Sequence, residues 1–345
     1  MYRTNTKLRK NPSGNSSFSG ILRRIWNFWS LFFSRKKRRV QTLRNILPEN
    51  LAEFFGCSDQ LIRRMANSPE SHYRKFFLWK DRAHTKKRWI EAPDQELKKM
   101  QERILSLLYQ MAPSPFAHGF TIGRSIVSNA RVHTGKRYLL KLDLKDFFPS
   151  ITRDMILKQL NDAELITPEN RNRIETLLNL CLLENRLPQG APTSPAISNL
   201  VCRRLDFILA KFARHHKMKY TRYADDLTFS SDSDSCYRLI PVIRRIVEQY
   251  GFRINERKVN VLKRHQRQTV TGLVVNQVKQ TSVPRRKRLK LRAFVHQIIV
   301  GKIPLNEFNY AKLKGHVSLI RMANPKQGEY FRRQLEIIEK MRKNA

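Results

Sequence analysis

Two adjacent carboxylates, Asp225 and Asp226, stand in the stretch TRYADDLTFS, between short alternating runs that read as the strands of a hairpin. Aspartate is common in turns because its side chain bonds nearby backbone, so the pair alone signals no more than a β-turn. A third carboxylate changes the reading. The run LLKLDLKDFF places Asp143 at the end of an apolar strand, with Asp146 three residues on and Phe147 and Phe148 behind it. A strand-terminal aspartate beside a hairpin that carries Asp-Asp makes an oxygen-rich pocket suited to Mg²⁺, which takes a few carboxylates together with substrate phosphates. Two such ions, about 3.5–4 Å apart, activate a sugar hydroxyl and stabilise a leaving pyrophosphate in an in-line displacement. Mn²⁺ is the expected substitute. Asp146 either helps to position the second ion or caps a turn.

The rest of the chain explains what such a site would act on. Its 345 residues hold 68 Lys and Arg against 28 Asp and Glu, a formal charge of +40. That excess calls for a polyanionic partner, nucleic acid before an anionic membrane surface. A basic surface then holds the polymer, and a small acidic focus holds the metal that works on it. Hydrophobic residues at 41% put the chain among folded proteins. Cys57, Cys181, Cys202 and Cys236 show neither CxxC nor Cys/His ligand spacing, which points to a reducing cytoplasm without disulfides or zinc. Arg23 and Arg24 interrupt ILRRIWNFWSLFF (21–33), too short a run for a membrane span. It reads as an amphipathic helix ahead of the basic run 35–39, docking on the protein body or on RNA, or else binding a partner or a membrane surface.

The elements that must carry these residues follow from periodicity. Residues 73–93 read as two strands around a basic tip, and 94–111 as a helix with an Asp cap. Helices are expected over RDMILKQLNDAEL and RNRIETLLNLCLLEN, after the Gly/Pro loop LPQGAPTSP (187–195), and over SCYRLIPVIRRIVEQYGF. Residues 257–276 read as strand-rich, and the chain from Pro284 as helical and basic. The fold class is α+β with a helical C-terminal region.

The order of these pieces resembles the palm of a reverse transcriptase. YADD (223–226) is similar to that family's catalytic hairpin, and LDLKDFF to its first aspartate motif. LPQGAPTSPAISNL is similar to the template and nucleotide loop, GFRINERK (251–258) to the lysine motif near the pyrophosphate, and VTGLVV (270–275) to the primer grip. Within the family, SNARVH (128–133) and VTG resemble the two hallmarks of bacterial retron enzymes.

The resemblance implies a right-hand fold of fingers, palm and thumb. The expected divisions are an N-terminal extension over 1–72, fingers over 73–136, palm over 137–283 with a finger insertion at about 152–186, and a basic helical thumb over 284–345. Asp143, Asp225 and Asp226 are the expected metal ligands. Phe148 is expected to block the 2′-OH of an incoming ribonucleotide, with Phe147 as its rival. Gln189 and Gly190 would meet the nucleotide, or simply turn the chain. Lys258 would protonate or neutralise the pyrophosphate, or lie solvated at the surface. Arg88, better than Lys87, matches a fingertip clamp on the triphosphate. Asn129 and His133 read as RNA contacts or structural hydrogen bonds. Val270, Thr271 and Gly272 fall at the primer, and Arg285, Arg286, Lys287 and Arg288 on a thumb helix tracking phosphates.

Partners implied are dNTPs, a cognate structured noncoding RNA that serves as template and primer, its DNA product, and a separate effector protein. Enzymes of this kind prime from the 2′-OH of an internal guanosine, make branched multicopy single-stranded DNA and are linked to antiphage defence. The alternatives are an intron-derived or diversity-generating reverse transcriptase, or an RNA-binding scaffold without catalysis.

Overall fold

The computed structural model describes residues 47–81 and 83–343. The expected aromatic helix at 21–33 and the basic run 35–39 lie outside them. Among the described residues two short helices come first, α1 (Leu51–Phe55) and α2 (Asp59–Asn67), capped by the side chains of Asn50 and Ser58. Strands β1 (Tyr73–Trp79) and β2 (Lys87–Pro93) then pair antiparallel, Tyr73 opposite Pro93 and Trp79 opposite Lys87. Asp81 closes their basic tip by accepting the backbone N–H groups of Thr85 and Lys86 at 3.0 and 3.1 Å. Helix α3 (Gln95–Leu108) starts on Asp94, whose carboxylate accepts the Leu97 N–H at 2.9 Å.

Next come α4 (Ile126–Arg131), β3 (Tyr138–Asp143), α5 (Arg153–Asp162), α6 (Arg171–Cys181) and α7 (Ser194–His215). The hairpin β4 (Lys219–Tyr223) and β5 (Asp226–Ser231) follows. The single helix expected over 235–252 is two, α8 (Ser235–Arg238) and α9 (Ile240–Gln249). Pro241 sits in the first turn of α9, where its missing N–H and fixed φ suit a new start. Strand β6 (Asn260–Lys263) and the short pair β7 (Thr269–Val270) and β8 (Leu273–Val274) precede three helices, α10 (Arg285–Ile299), α11 (Glu307–Ala323) and α12 (Pro325–Lys343).

The central sheet is antiparallel in the order β4-β5-β3-β6. β3 lies between β5 and β6, and Leu139, Leu140 and Leu142 are all but inaccessible. Central placement explains why this strand reads as a nearly continuous apolar run rather than a clean alternation. The core beneath the sheet takes Leu140, Leu142, Leu227 and Phe229 from the strands and Val201, Leu205 and Leu209 from α7. A second core joins Val127 and Ala130 of α4, Val270 and Leu273 of the short pair, and Leu291, Leu313 and Ile338 of the last three helices. This arrangement of helices and antiparallel strands is the right-hand polymerase fold. No helix among the described residues is long and apolar enough to cross a membrane. All four cysteines are free.

Candidate active site

The sheet register gathers the three aspartates at one corner. Asp143 ends β3 and pairs directly with Asp226, the first residue of β5. Tyr223, the last residue of β4, pairs with Asp226 as well, leaving Ala224 and Asp225 as a two-residue turn. Ala224 has φ +56, the left-handed conformation that tight hairpins demand and that costs an alanine roughly 1 kcal/mol. The Leu144 N–H donates to the Asp225 carbonyl at 2.9 Å, tying the turn to the end of β3.

Asp143 is 7% exposed, whereas Asp225 and Asp226 are half-buried. Burial, then the charges of Asp226 and Asp143, push the Asp225 carboxyl up to about 6. Burial raises Asp226 too, and Asp143 adds to this while Lys141 and Lys258 oppose it. Lys258, in a single turn over Glu256–Lys258, donates to Asp143 Oδ2 at 2.6 Å. Burial works against the Lys258 charge, but the bond to Asp143 and the three carboxylates hold its pKa above the ordinary value. Asn255 also donates to Asp143, through its backbone N–H at 2.8 Å.

A corner where negative groups are crowded and partly desolvated fits a divalent cation, which relieves both penalties at once. Among the described residues no three His, Cys, Asp or Glu side chains close into a ready metal cage. Mg²⁺ does not require one, because it keeps waters and takes substrate phosphates around one or two carboxylates.

The other expected site residues are distributed unevenly around this corner. Phe147 is 6% exposed and packs against Phe252, ring centroids 6.0 Å apart, so it belongs to the core. Phe148 is half-exposed, 5.3 Å from Phe147 and 6.2 Å from Phe120. Asp146 is exposed at φ +47 in the turn between them and β3. On β2, Lys87 and Arg88 point to opposite faces. The Lys87 ammonium sits 4.3 Å over the Phe77 ring and 5.3 Å from Trp79. Arg88 shares the face of Ile90, whose Cγ2 lies against Gly190.

Gly190 differs from the reading of its sequence in what it approaches. At φ +145, a Cβ there would stand 2.7 Å from the Glu91 carbonyl oxygen. The near neighbour that requires glycine is thus β2. Gln189 is tied to the same strand, its carbonyl accepting the Glu91 N–H at 2.9 Å. Glu91 in turn receives both arms of Arg186, at 2.9 and 2.7 Å.

Asn129 and His133 are 1% and 0% exposed, so neither presents an atom to RNA in this conformation. Of the two roles their sequence left open, the interior supports the structural one for His133, whereas Asn129 Oδ1 is buried without a hydrogen-bond partner among the described residues. His133 bridges the two strands of the Asp225–Asp226 hairpin, with Nδ1 2.7 Å from Ser230 Oγ and Nε2 2.7 Å from Thr221 Oγ1. The VTG element packs against α4. Val270 is fully buried, the Thr271 hydroxyl donates to the Ile126 carbonyl at 2.7 Å, and Thr271 and Gly272 form the turn at φ +47 and +82. The two sequence hallmarks therefore tie α4 and its C-terminal turn to the hairpin on one hand and to the short strand pair on the other. Arg285, Arg286 and Lys287 are exposed in the first turn of α10, and Arg288, half-exposed, donates to the Val283 carbonyl at 3.1 Å.

Burial, and next the charge of His118, hold the His133 imidazole neutral, its pKa drawn down from 6.5 to about 3. In the unfolded chain it titrates near 6.5. Below that pH protons bind the unfolded chain first. The stability that the neutral ring contributes is complete above about 6.5 and drains as pH falls towards 3, by up to about 1.4 kcal/mol per pH unit. His133→Gln is expected to flatten the acid limb of a plot of urea midpoint against pH. An unchanged limb would assign the acid sensitivity to other groups.

Sequence reasoning missed a set of residues directly under the hairpin. Arg222, Asp206 and Asn199 are 0%, 0% and 4% exposed and bonded to one another. The signal was present: Asp206 sits among apolar residues in CRRLDFILAKF, and a carboxylate on a buried helix face needs a cation.

Residues 79–281 match the family profile described as reverse transcriptase (RNA-dependent DNA polymerase). The chain is similar to the retron Mx65 reverse transcriptase of Myxococcus xanthus, 36% identical over 88% of this chain and 78% of that protein. It is similar to the retron Ec86 reverse transcriptase of Escherichia coli, 33% identical over 83% of this chain and 86% of that protein. Among solved structures it shares 12% identity and a TM-score of 0.43 with the telomerase of Candida albicans in complex with a fragment of telomeric RNA, over 81% of this chain and 59% of that one.

Proposed function

The chain belongs to the retron branch of the reverse transcriptase family and is an RNA-directed DNA polymerase, and on that premise we propose that it copies a structured noncoding RNA into branched multicopy single-stranded DNA in the cytoplasm. The observation that carries the site assignment is the register that brings Asp143, Asp225 and Asp226 to one corner of the sheet. These carboxylates are the ligands for divalent metal, two Mg²⁺ ions or Mn²⁺ in their place. When bound, the metal supplies charge neutralisation at the attacking and leaving oxygens. Lys258 keeps its proton through the bond to Asp143 and is placed to neutralise or protonate the pyrophosphate. Arg88 and Gln189 flank the nucleotide, and Phe148 lies beside its sugar.

In this reading residues 73–136 act as fingers, 137–283 as palm and 284–343 as thumb. Synthesis starts from the 2′-OH of an internal guanosine, and an effector protein completes an antiphage system. The family likeness supports both of these points. Sequencing the nucleic acid that copurifies with the chain tests the priming: a 2′,5′ branch joining RNA to DNA is expected, and linear DNA alone would point to another priming mode. Mg²⁺-dependent extension of an annealed primer separates the polymerase from a non-catalytic RNA-binding scaffold.

The thumb makes a second measurable claim. α10 opens with Arg285, Arg286 and Lys287 and has no acidic residue in its first turn, the reverse of what the helix dipole favours. A phosphate backbone along this end supplies the missing anion. Neutralising Arg285, Arg286, Lys287 and Arg288 together is expected to weaken cognate and unrelated RNA by similar factors. On single strands the log–log salt slope should become shallower by roughly 0.7 for each phosphate that is no longer neutralised. An unchanged slope would move RNA binding off this helix.

A further inference from the structure

We propose that Arg222 is a positioning residue for DNA synthesis, acting through the backbone of the Ala224–Asp225 turn. The proposal rests on the assignment of Asp225 and Asp226 as metal-holding carboxylates. Arg222 has no solvent exposure, so it touches neither nucleotide nor RNA. A fully buried guanidinium persists only when its donors are satisfied. Here one edge is neutralised by Asp206, which accepts from Nε and from Nη2, each at 2.8 Å. Tyr220 OH donates to the same carboxylate at 2.8 Å. The remaining arm, Nη1, reaches the Ala224 carbonyl at 3.2 Å and Asn199 Oδ1 at 3.0 Å.

That arm is what links an interior ion pair to chemistry. The Ala224 carbonyl belongs to the peptide that enters Asp225, and the Asp225 carbonyl, held by the Leu144 N–H, belongs to the peptide that leaves it. Both peptide planes around Asp225 are therefore fixed, and with them the direction in which its carboxylate departs. The turn has reason to relax if released, because Ala224 is held at φ +56.

The other side of the turn is walled by Gly119. A Cβ at that position would stand 2.6 Å from the Ala224 nitrogen. Gly119 is kept there by Asn199, whose Nδ2 donates to the Gly119 carbonyl at 2.9 Å. The segment also lies along β4: the Arg222 N–H donates to the Phe116 carbonyl and the His118 N–H to the Arg222 carbonyl, each at 2.8 Å. Asn199 thus joins both restraints, accepting from Arg222 and donating to Gly119.

Two variants separate positioning from simple stability. The triple replacement Asp206→Leu, Tyr220→Phe and Arg222→Met exchanges the buried polar set for apolar groups of similar shape, a change that proteins often tolerate. It keeps the packing and removes the hold on Ala224. Gly119→Ala leaves the ion pair intact and pushes on the turn from outside. Each is measured for melting temperature, affinity for a primer–template duplex, and single-turnover extension across dNTP and Mg²⁺ concentrations. Both are expected to bind duplex and dNTP as the parent does. Both should extend about 100-fold more slowly, the scale of a displacement near 1 Å at a reacting group, and need more Mg²⁺ for half-maximal rate. Parental rate and Mg²⁺ dependence in a folded triple variant would overturn the proposal. If the triple variant does not fold, parental kinetics in Gly119→Ala would overturn it instead. Full activity after replacing Asp225 and Asp226 themselves would refute the site assignment, a separate outcome.

Discussion

Replacing Asp225 and Asp226 together by asparagine is expected to abolish DNA synthesis while leaving RNA affinity nearly unchanged. Amides of the same shape keep the turn but lose the charge that holds the metal. The loss expected is about 5 kcal/mol or more of transition-state stabilisation, on the order of 10⁴ in rate. Primer extension at saturating Mg²⁺ and a filter-binding assay on the same RNA check the two halves. Residual synthesis at the parental rate would remove these residues from the chemistry.

The same variant should be more stable than the parent at neutral pH. The Asp225 carboxyl is raised from 3.8 to about 6 by burial and by the neighbouring carboxylates. A group whose folded pKa lies above its unfolded value contributes stability that is complete below the unfolded pKa. That contribution is lost as pH rises through the folded one. Without metal, the Asp225 contribution should therefore fall between about pH 4 and 6, by up to about 1.4 kcal/mol per unit, against the opposite His133 contribution, so it is read as the difference between parent and variant. An amide does not ionise, so the asparagine variant should lack this fall. Melting curves in a chelator across that range would show it directly. Gained stability with lost synthesis is the expected signature of a site built for a cation.

Phe148→Ala is expected to admit ribonucleotides. Phe148 stands half-exposed five residues beyond Asp143, its ring set against Phe147 and Phe120. Removing the ring opens the space where a 2′-OH would lie. The preference for dNTP over rNTP should fall by about 100-fold, the scale on which an apolar wall rejects one added hydroxyl. Competing dNTP and rNTP on one primed template measures the ratio. Phe147→Ala, by contrast, empties a core position and should cost about 3–5 kcal/mol of stability. An unchanged nucleotide preference in a folded Phe148→Ala would leave sugar discrimination to some other group.

Much of the site was legible because its signals are local. An aspartate ending an apolar run, two more between alternating strands, a Gly/Pro loop before a long helix and a basic C-terminal segment are all properties of short windows. Periodicity placed each on the right element, and the motif order pointed to the family. The helix break at Leu239 was less visible, because a proline at the start of one helix and a proline inside another look alike until the chain direction is known.

What the sequence by itself determined is the chemistry available: three carboxylates on strands that can meet, a lysine and aromatic rings at set distances along the chain, and a charge that demands a polyanion. The tertiary structure decided which of those groups face outward. Phe147 and Phe148 are adjacent and identical, yet only the neighbouring Phe252 and the sheet beneath make one of them core. Gly190 is needed because β2 passes within van der Waals reach, and β2 lies about a hundred residues away in the chain. Asn129 and His133 look polar enough to bind RNA, but both are buried, and His133 is spent on Ser230 and Thr221 of the hairpin. Arg222 looks like one more cation in a strongly basic protein until Asp206 of α7 is brought to it. In each case the surroundings of the residue depend on an element distant in sequence, and no local window contains the distance that sets them.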